Sequence, residues 1–519
     1  MVNKDICFIL SPKCEVLSPP LTIACLAAYL RKNGLAVGVY DLNARCYLNR
    51  GEKYKTHWEV TSQEFWTLAG AVQSYFDDNE NLVVGLLEYL RKERPLAVGF
   101  TNWFVNFEAN LYIARKIKNR FPNLKVIFGG PEISIGFKAG RLSREECRVV
   151  DRFVFGEGEL TLEELLRGFR EGRDVADCDG AADNRLRMKS PRKLITDLSM
   201  LPGPDYSDFN LEHYSAKGGV LSTNFSRGCI NRCIYCDERA FWSVFRTKPG
   251  RQCFEEIKEL KRTYPELRHV AVNDSLGNGS IKELVEFCQL MSQDPLGVTW
   301  DVNAVIRKEM DENLLLLMKS AGCSRLIYGI ESVSHSVLEN VGKVMSRGCD
   351  MEKIVRDTAA AGIEVWTNFM FGLPGETEDD AKDNIDFVLR NKDYIHTAAP
   401  TFAFCNLSEF SDAHLNPEKY GIKKDVHICF WESEDGTNNY QVRLERFERF
   451  CSAINSAGLR SIYPHDKLVD RDRKLGHYFF YKKDFKRAKE YFEKAFKNDP
   501  WDKTLEEALR YLSKRISGD

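Results

Sequence analysis

Short apolar runs that end in a glycine or a polar loop alternate with spans long enough for helices, and they do so twice along this chain of 519 residues. The first series begins with a buried strand at 5–10, a Ser- and Pro-rich loop from Ser11 to Pro20, and an apolar-periodic helix from about Leu21 to Lys32. Gly34 stops that helix and Val37–Asp41 resumes as strand, which makes one βαβ unit. Leu96–Phe100, a helix around Ala109 to Arg120, Val126–Gly130 and Arg152–Phe155 repeat the alternation. The pattern predicts an α/β domain over 1–170, a Rossmann-like open parallel sheet wound by helices. Ligands of such sheets bind outside the carboxyl ends of the strands, here the loops Ser11–Pro20, Thr101–Asn106, Gly129–Ser134 and Gly156–Glu159.

Residues 171–219 lose periodicity around Pro191, Pro202 and Pro204 and read as a surface linker. The second series then runs Val220–Asn224, Val270–Val272, Val298–Val302, Arg325–Tyr328, Glu364–Asn368 and Thr401–Phe404. Six units predict a partial (β/α)6 barrel over 220–405, with its site at the carboxyl ends of the strands. Residues 406–465 form an extension expected to complete that site. In 466–519, Leu475, Gly476, Phe479, Ala488, Phe492, Ala495 and Pro500 match positions of a tetratricopeptide repeat, with Asp472 where the leading Trp usually stands. One repeat cannot bury its own face, so it is expected to pack on the helices Leu505–Ile516 and Val442–Ala457.

Sixteen cysteines are scattered through a chain whose opening apolar run is too short for an export signal, so most are expected to be reduced thiols. Cys7, Cys25, Cys288 and Cys323 read as small buried hydrophobes. Ligand spacing occurs once, at Cys229, Cys233 and Cys236 in the run Ser-Arg-Gly-Cys-Ile-Asn-Arg-Cys-Ile-Tyr-Cys. Three thiolates at C-x3-C-x2-C can ligate three irons of a four-iron cluster and leave the fourth without a protein ligand. An amino acid chelating that iron through amine and carboxylate brings a sulfonium beside a reducing cluster, where one electron breaks a carbon–sulfur bond. Zinc would require a fourth ligand, but His213 lies upstream and Cys253 stands alone. Cys405, Cys429 and Cys451 are spaced too widely to form an evident second ligand set.

The motif, its place after the first strand of the second series, and Tyr235 before the last cysteine resemble the radical S-adenosylmethionine (radical SAM) superfamily over roughly residues 220–405. The resemblance implies a 4Fe-4S cluster on Cys229, Cys233 and Cys236, S-adenosylmethionine as cosubstrate, and Tyr235 against its adenine. The family's Gly-Gly-Glu-like turn, which holds the methionine amine, reads Asn273-Asp274-Ser275 here; it keeps a carboxylate and an amide but lacks the glycines. Gly329-Ile-Glu331-Ser332 resembles the segment near the ribose and methionine carboxylate, and Asn368-Phe-Met370 through Glu376 the strand and turn flanking the adenine. Asn303 and Arg307 are further candidates for that pocket. A glutamate ending a barrel strand can equally well cap the next helix. No hydrogen-atom donor or acceptor stands out.

Leu17–Leu30, Val98–Thr101, Phe128–Glu132 and Phe155–Glu159 resemble, in order, the cobalamin-binding domain attached to one large radical SAM class. The resemblance implies cobalamin contacts from Ser18, Pro19, Thr101, Asn102, Trp103, Asn106, Gly129, Gly130, Glu132, Gly156 and Glu157. The Asp-x-His-x-x-Gly string that supplies an imidazole to cobalt is missing, so the lower face is expected to meet Trp103, Phe104 or Asn106. The other reading is a Rossmann-like domain retained without a cofactor. The class typically transfers methyl groups to unactivated carbon; relatives cyclise, contract rings or couple carbons. A rival reading makes the chain an assembly or binding factor.

With 74 basic and 76 acidic residues the formal charge is −2, which provides no global attraction to nucleic acid or anionic membranes. No stretch approaches the ~20 apolar residues of a membrane span, and a cytoplasmic location is expected. A radical SAM enzyme implies an electron donor such as flavodoxin or ferredoxin. The aromatic residues of Phe402–Phe410 and Phe430–Trp431 would suit a bulky or apolar substrate, or else a core.

Overall fold

In the computed structural model, six of the seven residues of β1 (Lys4–Leu10) are buried, as a parallel strand with both faces covered must be. The structure describes residues 3–59, 63–138, 140–143, 145–173, 178–343, 346, 348–400, 405–461, 470–498 and 503–517. It folds as two units, Met1–Gly228 with Val244–Asp301, and Cys229–Ser243 with Val302–Asp519.

The first unit places β2 (Val37–Asp41), β1, β3 (Pro95–Thr101), β4 (Lys125–Gly129), β5 (Arg152–Val154) and β6 (Ala181–Asp183) side by side in that order. All neighbours are parallel except β6, which runs antiparallel to β5. The α/β alternation therefore stands, but the expected surface linker 171–219 does more than connect. It supplies the edge strand β6 and buries Tyr206, Phe209 and Tyr214; three residues are too short a run to reveal a strand by alternation. The helix Leu21–Lys32 has the expected bounds, and Gly34 follows it at a φ of 77°. Between β2 and β3 lie helices Leu42–Leu48, Ala69–Asp78 and Glu80–Glu93, and Trp66 packs edge to face on both Trp58 and Tyr75. This unit also contains β7 (Val220–Thr223) parallel to β10 (His269–Val272), and β8 (Ser226–Arg227) antiparallel to β9 (Arg246–Thr247).

β11 (Thr299–Ala304) carries the chain into the second unit. There β13 (Glu364–Phe369) lies between and parallel to β12 (Cys323–Glu331) and β14 (Thr397–Pro400). The strand expected at 401–404 lies outside the described residues, as does Pro500. The helix Glu378–Arg390 opens with a capping box between Thr377 and Asp380 and three acidic residues in its first turn, which satisfy its free amides and dipole. The tail forms helices Arg471–Tyr481, Phe485–Asn498 and Lys503–Ser517. Gly476 packs on Phe492, where a Cβ would come within 2.4 Å of the ring. Tyr478 stacks on Tyr440 of the preceding helix, Tyr440–Ser456, at 5.4 Å, so the tail packs on this helix as expected. No helix among the described residues is long and apolar enough to cross a membrane.

Candidate active site

Cys229, Cys233 and Cys236 lie on a loop with little regular structure, so tertiary contacts must shape it. The Arg232 and Ile234 amides donate to the carbonyls of Gly342 (3.3 Å) and Val341 (2.9 Å), and the Ala413 amide donates to the Ile234 carbonyl at 2.9 Å. Ile234, between Cys233 and Cys236, is buried with Val337, Val341, Leu373, Leu407 and Trp431; burying such a side chain contributes about 1.5–3 kcal/mol. Gly342 makes the approach possible: at a φ of 76°, a Cβ there would stand 2.6 Å from the Arg232 carbonyl oxygen.

The three thiols are free and half-buried. Burial pushes all three pKa values up, Cys236 to about 12, and the charges of Cys229 and Cys233 add to the effect on Cys236. The sulfurs thus sense one another, although no group of three His, Cys, Asp or Glu among the described residues forms a ready-made metal cage. Lys343, next to Gly342, is buried and bonded to Glu331 Oε1 at 3.0 Å. Burial works against its charge, but Glu331, Cys233 and Cys229 outweigh burial and raise its pKa.

Tyr235 and Met370 pack at the edge of the apolar cluster that holds Ile234. Glu331 ends β12 at a φ of 65°, and its carbonyl accepts from the Met370 amide at 3.0 Å. Ser332 is fully buried. Asn368 is half-buried on β13 opposite Gly329, and Asn303 is exposed on β11. Arg307 pairs with Glu309 at 2.9 Å. The turn after β13 is held by side chains from far along the chain. Asn438 donates to the carbonyls of Gly372 and Leu373, both at 3.2 Å, and Arg446 donates to the Glu376 carbonyl at 3.1 Å, while buried Arg443 donates to the carbonyls of Cys429 and Trp431. Gly372 has a φ of 77°, and a Cβ there would meet Arg443 Cδ at 1.9 Å. Gly372→Ala is therefore expected to cost about 2–5 kcal/mol, from left-handed strain and overpacking together, measurable by urea unfolding of the full chain.

Several candidates in the first unit are occupied within the protein. Asp274 accepts from the Phe225 amide (2.9 Å) and Ser226 hydroxyl (2.7 Å), and burial lifts its pKa to about 6; Asn273 beside it is exposed. Buried Asn102 donates to the Gly129 carbonyl at 3.0 Å and accepts from Asn110 at 2.9 Å. Gly130 makes room for the Asn102 backbone, 2.6 Å from its Cβ position, whereas Gly129 has only ordinary contacts there. Asn106 accepts from the Trp103 amide and donates to the Thr101 carbonyl. Glu132 pairs with Arg141 at 3.1 Å. Glu157 pairs with Arg227 (2.6 Å) and Arg246 (3.0 Å) and accepts from the Ile195 amide, while Glu159 pairs with Arg227. Leu17, Trp103 and Phe104 are exposed, and Gly156 has open space around its Cβ position. Ser18 is half-buried and Pro19 buried in a loop whose Val16 and Leu17 carbonyls accept from the Ser215 and Ala216 amides.

Residues 223–388 match the Radical SAM superfamily. The chain thus carries a match to a radical SAM domain over these residues. An uncharacterized methyltransferase of Pyrococcus horikoshii is 27% identical over 349 residues, 64% of this chain and 74% of that one. The anaerobic magnesium-protoporphyrin IX monomethyl ester cyclase of Synechocystis is 28% identical over 248 residues, 46% of this chain and 48% of the cyclase, so the match spans about half of that relative. The fold is similar to TsrM of Kitasatospora setae, a radical S-adenosylmethionine methyltransferase solved with cobalamin and a 4Fe-4S cluster (TM-score 0.61, 19% identity, covering 91% of this chain and 90% of TsrM).

The sequence alone did not point to Lys343, Arg443 and Arg446, the cations beside the cysteine loop and the turn after β13. Only the glycines beside them, Gly342 and Gly372, carried a signal, since each permits a close approach. Among the expected buried thiols, Cys7, Cys288 and Cys323 are buried and Cys25 is half-buried. Trp431, a candidate pocket aromatic, is core, with its indole N–H on the Cys405 carbonyl at 2.7 Å. Phe430 packs on His427, Tyr440, Tyr478 and Tyr481.

Proposed function

We propose that the chain is a cobalamin-dependent radical SAM enzyme that transfers a methyl group to carbon, with Cys229, Cys233 and Cys236 as the ligands of its 4Fe-4S cluster. The carrying observation is the cysteine loop, whose three free thiols are held by backbone bonds and by Ile234 beside the Glu331–Lys343 pair. When bound, cluster and S-adenosylmethionine supply a 5'-deoxyadenosyl radical, and cobalamin supplies a methyl carrier. The protein's part is to bind, orient and exclude water. Tyr235 and Met370 offer an apolar wall for the adenine, and Asn303, Glu331, Ser332 and Asn368 offer polar groups at or beyond strand ends. Asp274 shapes the Phe225–Ser226 segment and Asn273 is the accessible amide of that turn.

In the first unit the exposed Leu17, Trp103 and Phe104 suit the broad apolar face of a corrin, and none of them supplies an imidazole. Ser18, Pro19, Thr101, Gly129 and Gly156 line the approach; Asn102, Asn106, Gly130, Glu132 and Glu157 hold the loops in shape. Electrons come from a donor such as flavodoxin or ferredoxin. A cytoplasmic setting accords with the free cysteines among the described residues, and the tail is read as a tetratricopeptide-like hairpin that serves packing. The match to the magnesium-protoporphyrin cyclase favours a second reading, a cyclase on the same cofactors.

The test is anaerobic isolation and reconstitution followed by metal, sulfide and cobalamin analysis, with S-adenosylmethionine carrying a labelled methyl group. About four irons and stoichiometric cobalamin per chain, 5'-deoxyadenosine and a labelled product are expected. A product without label favours the cyclase. Absence of cobalt after reconstitution removes the methyl-transfer reading, and absence of 5'-deoxyadenosine makes the chain a binding factor.

A further inference from the structure

Lys343 is 7% exposed, a place where an ammonium is costly unless something nearby repays its desolvation. Its position follows from the backbone: the turn 341–342 is bonded to Arg232 and Ile234, and the Cβ position of Gly342 lies 3.8 Å from the Cys233 amide nitrogen. The next residue along is Lys343, so its side chain leaves the backbone beside the middle ligand. It reaches across β12, where Gly329 has no side chain to obstruct it; a Cβ there would stand 3.0 Å from Nζ and 2.8 Å from Glu331 Oε1. The pair thus lies directly over the end of the strand, Nζ to Oε1 at 3.0 Å. Electrostatically the lysine faces Glu331, Cys233 and Cys229 together, so a single carboxylate is not the whole of its environment.

We propose that Lys343 is a positioning residue that fixes a positive charge against the cysteine loop and raises the reduction potential of the cluster held there, with Glu331 as the counter-charge that limits the rise. The inference rests on the cluster reading above. Reduction adds one electron, supplied by an external donor, to a cluster already ligated by three thiolates. A buried cation stabilises the more negative state, and a buried anion opposes it, with little screening by water. The two partners therefore push the potential in opposite directions, a signature that general loosening of the loop does not produce.

Reductive titration of the reconstituted full chain, followed by electron paramagnetic resonance, reads this directly, with iron and sulfide content measured in every sample. Lys343→Gln is expected to lower the midpoint by about tenfold in the reduction equilibrium, about 59 mV for one electron. Glu331→Gln is expected to raise it, and Lys343→Arg to leave it near the wild-type value. If Lys343→Gln fails to hold a cluster, the other two variants decide. Midpoints that do not move, or that move the same way for Lys343→Gln and Glu331→Gln, overturn the proposal while the cluster reading stands. Wild-type protein that takes up no cluster overturns both.

Discussion

Alanine at Cys229, Cys233 or Cys236 is expected to abolish 5'-deoxyadenosine formation while leaving the chain folded. On the proposed assignment each substitution removes one of the three thiolates that hold the cluster, and a cluster that is not held cannot present its open iron to S-adenosylmethionine. The loop does not depend on those thiols for its shape: its backbone is bonded to 341–342 and Ala413, and Ile234 is anchored in the apolar cluster. Cys405→Ala provides the contrast. That thiol is fully buried in the same cluster, and burial pushes its pKa far above the ordinary range. It behaves as a small hydrophobe, so its loss is expected to cost stability, about 1–2 kcal/mol on the scale of a removed buried group, and to spare 5'-deoxyadenosine formation. Iron content, circular dichroism and product chromatography on the four variants separate the two roles. A cluster-loaded Cys233→Ala that still forms 5'-deoxyadenosine would contradict the ligand assignment.

The parts of this molecule that were legible in advance are those written locally. Strand and helix periods, the stop at Gly34 and the C-x3-C-x2-C spacing all lie within a few residues of one another, and the structure places β1 to β5 and the helix Leu21–Lys32 where those periods put them. The partners that complete the site come from elsewhere in the chain and have no local mark. Lys343 follows an ordinary helix end, and Arg443 and Arg446 sit on a helix whose charges suggest a solvated face, yet both arginines are buried. The Phe155–Glu159 string has distant partners of the same kind. Glu157, expected in a ligand loop, pairs with Arg227 and Arg246, and Glu159 pairs with Arg227, which lies two residues before Cys229. Asn102 and Gly130 tell the same story: a glycine that permits a close approach does not reveal what approaches, and here it is the neighbouring loop's own backbone.

Arg446→Met is expected to destabilise the protein by about 1–2 kcal/mol more at pH 8 than near pH 5, because Glu376 loses the partner that lets it ionise while buried. Arg446 is 2% exposed; it donates to Glu376 Oε2 at 2.9 Å and to the Glu376 carbonyl, and it also pairs with Glu378 at 2.6 Å. The same carboxylate accepts from the Gly372 amide at 2.6 Å, which ties the ion pair to the turn after β13. Burial lifts the Glu376 pKa to about 7 even with the arginine present. A folded-state pKa above the unfolded value means that the folded protein holds the proton more tightly, so this group's contribution is complete below the ordinary carboxylate range and is lost as pH rises through about 7. Removing Arg446 raises that pKa further, so the deficit should be small near pH 5, where Glu376 is neutral in both proteins, and should grow as pH rises. Urea unfolding of both proteins across that range measures the difference, and Glu376→Gln in the Arg446→Met background should recover most of the loss at pH 8. A deficit that is the same at every pH would place the arginine's role in packing rather than charge.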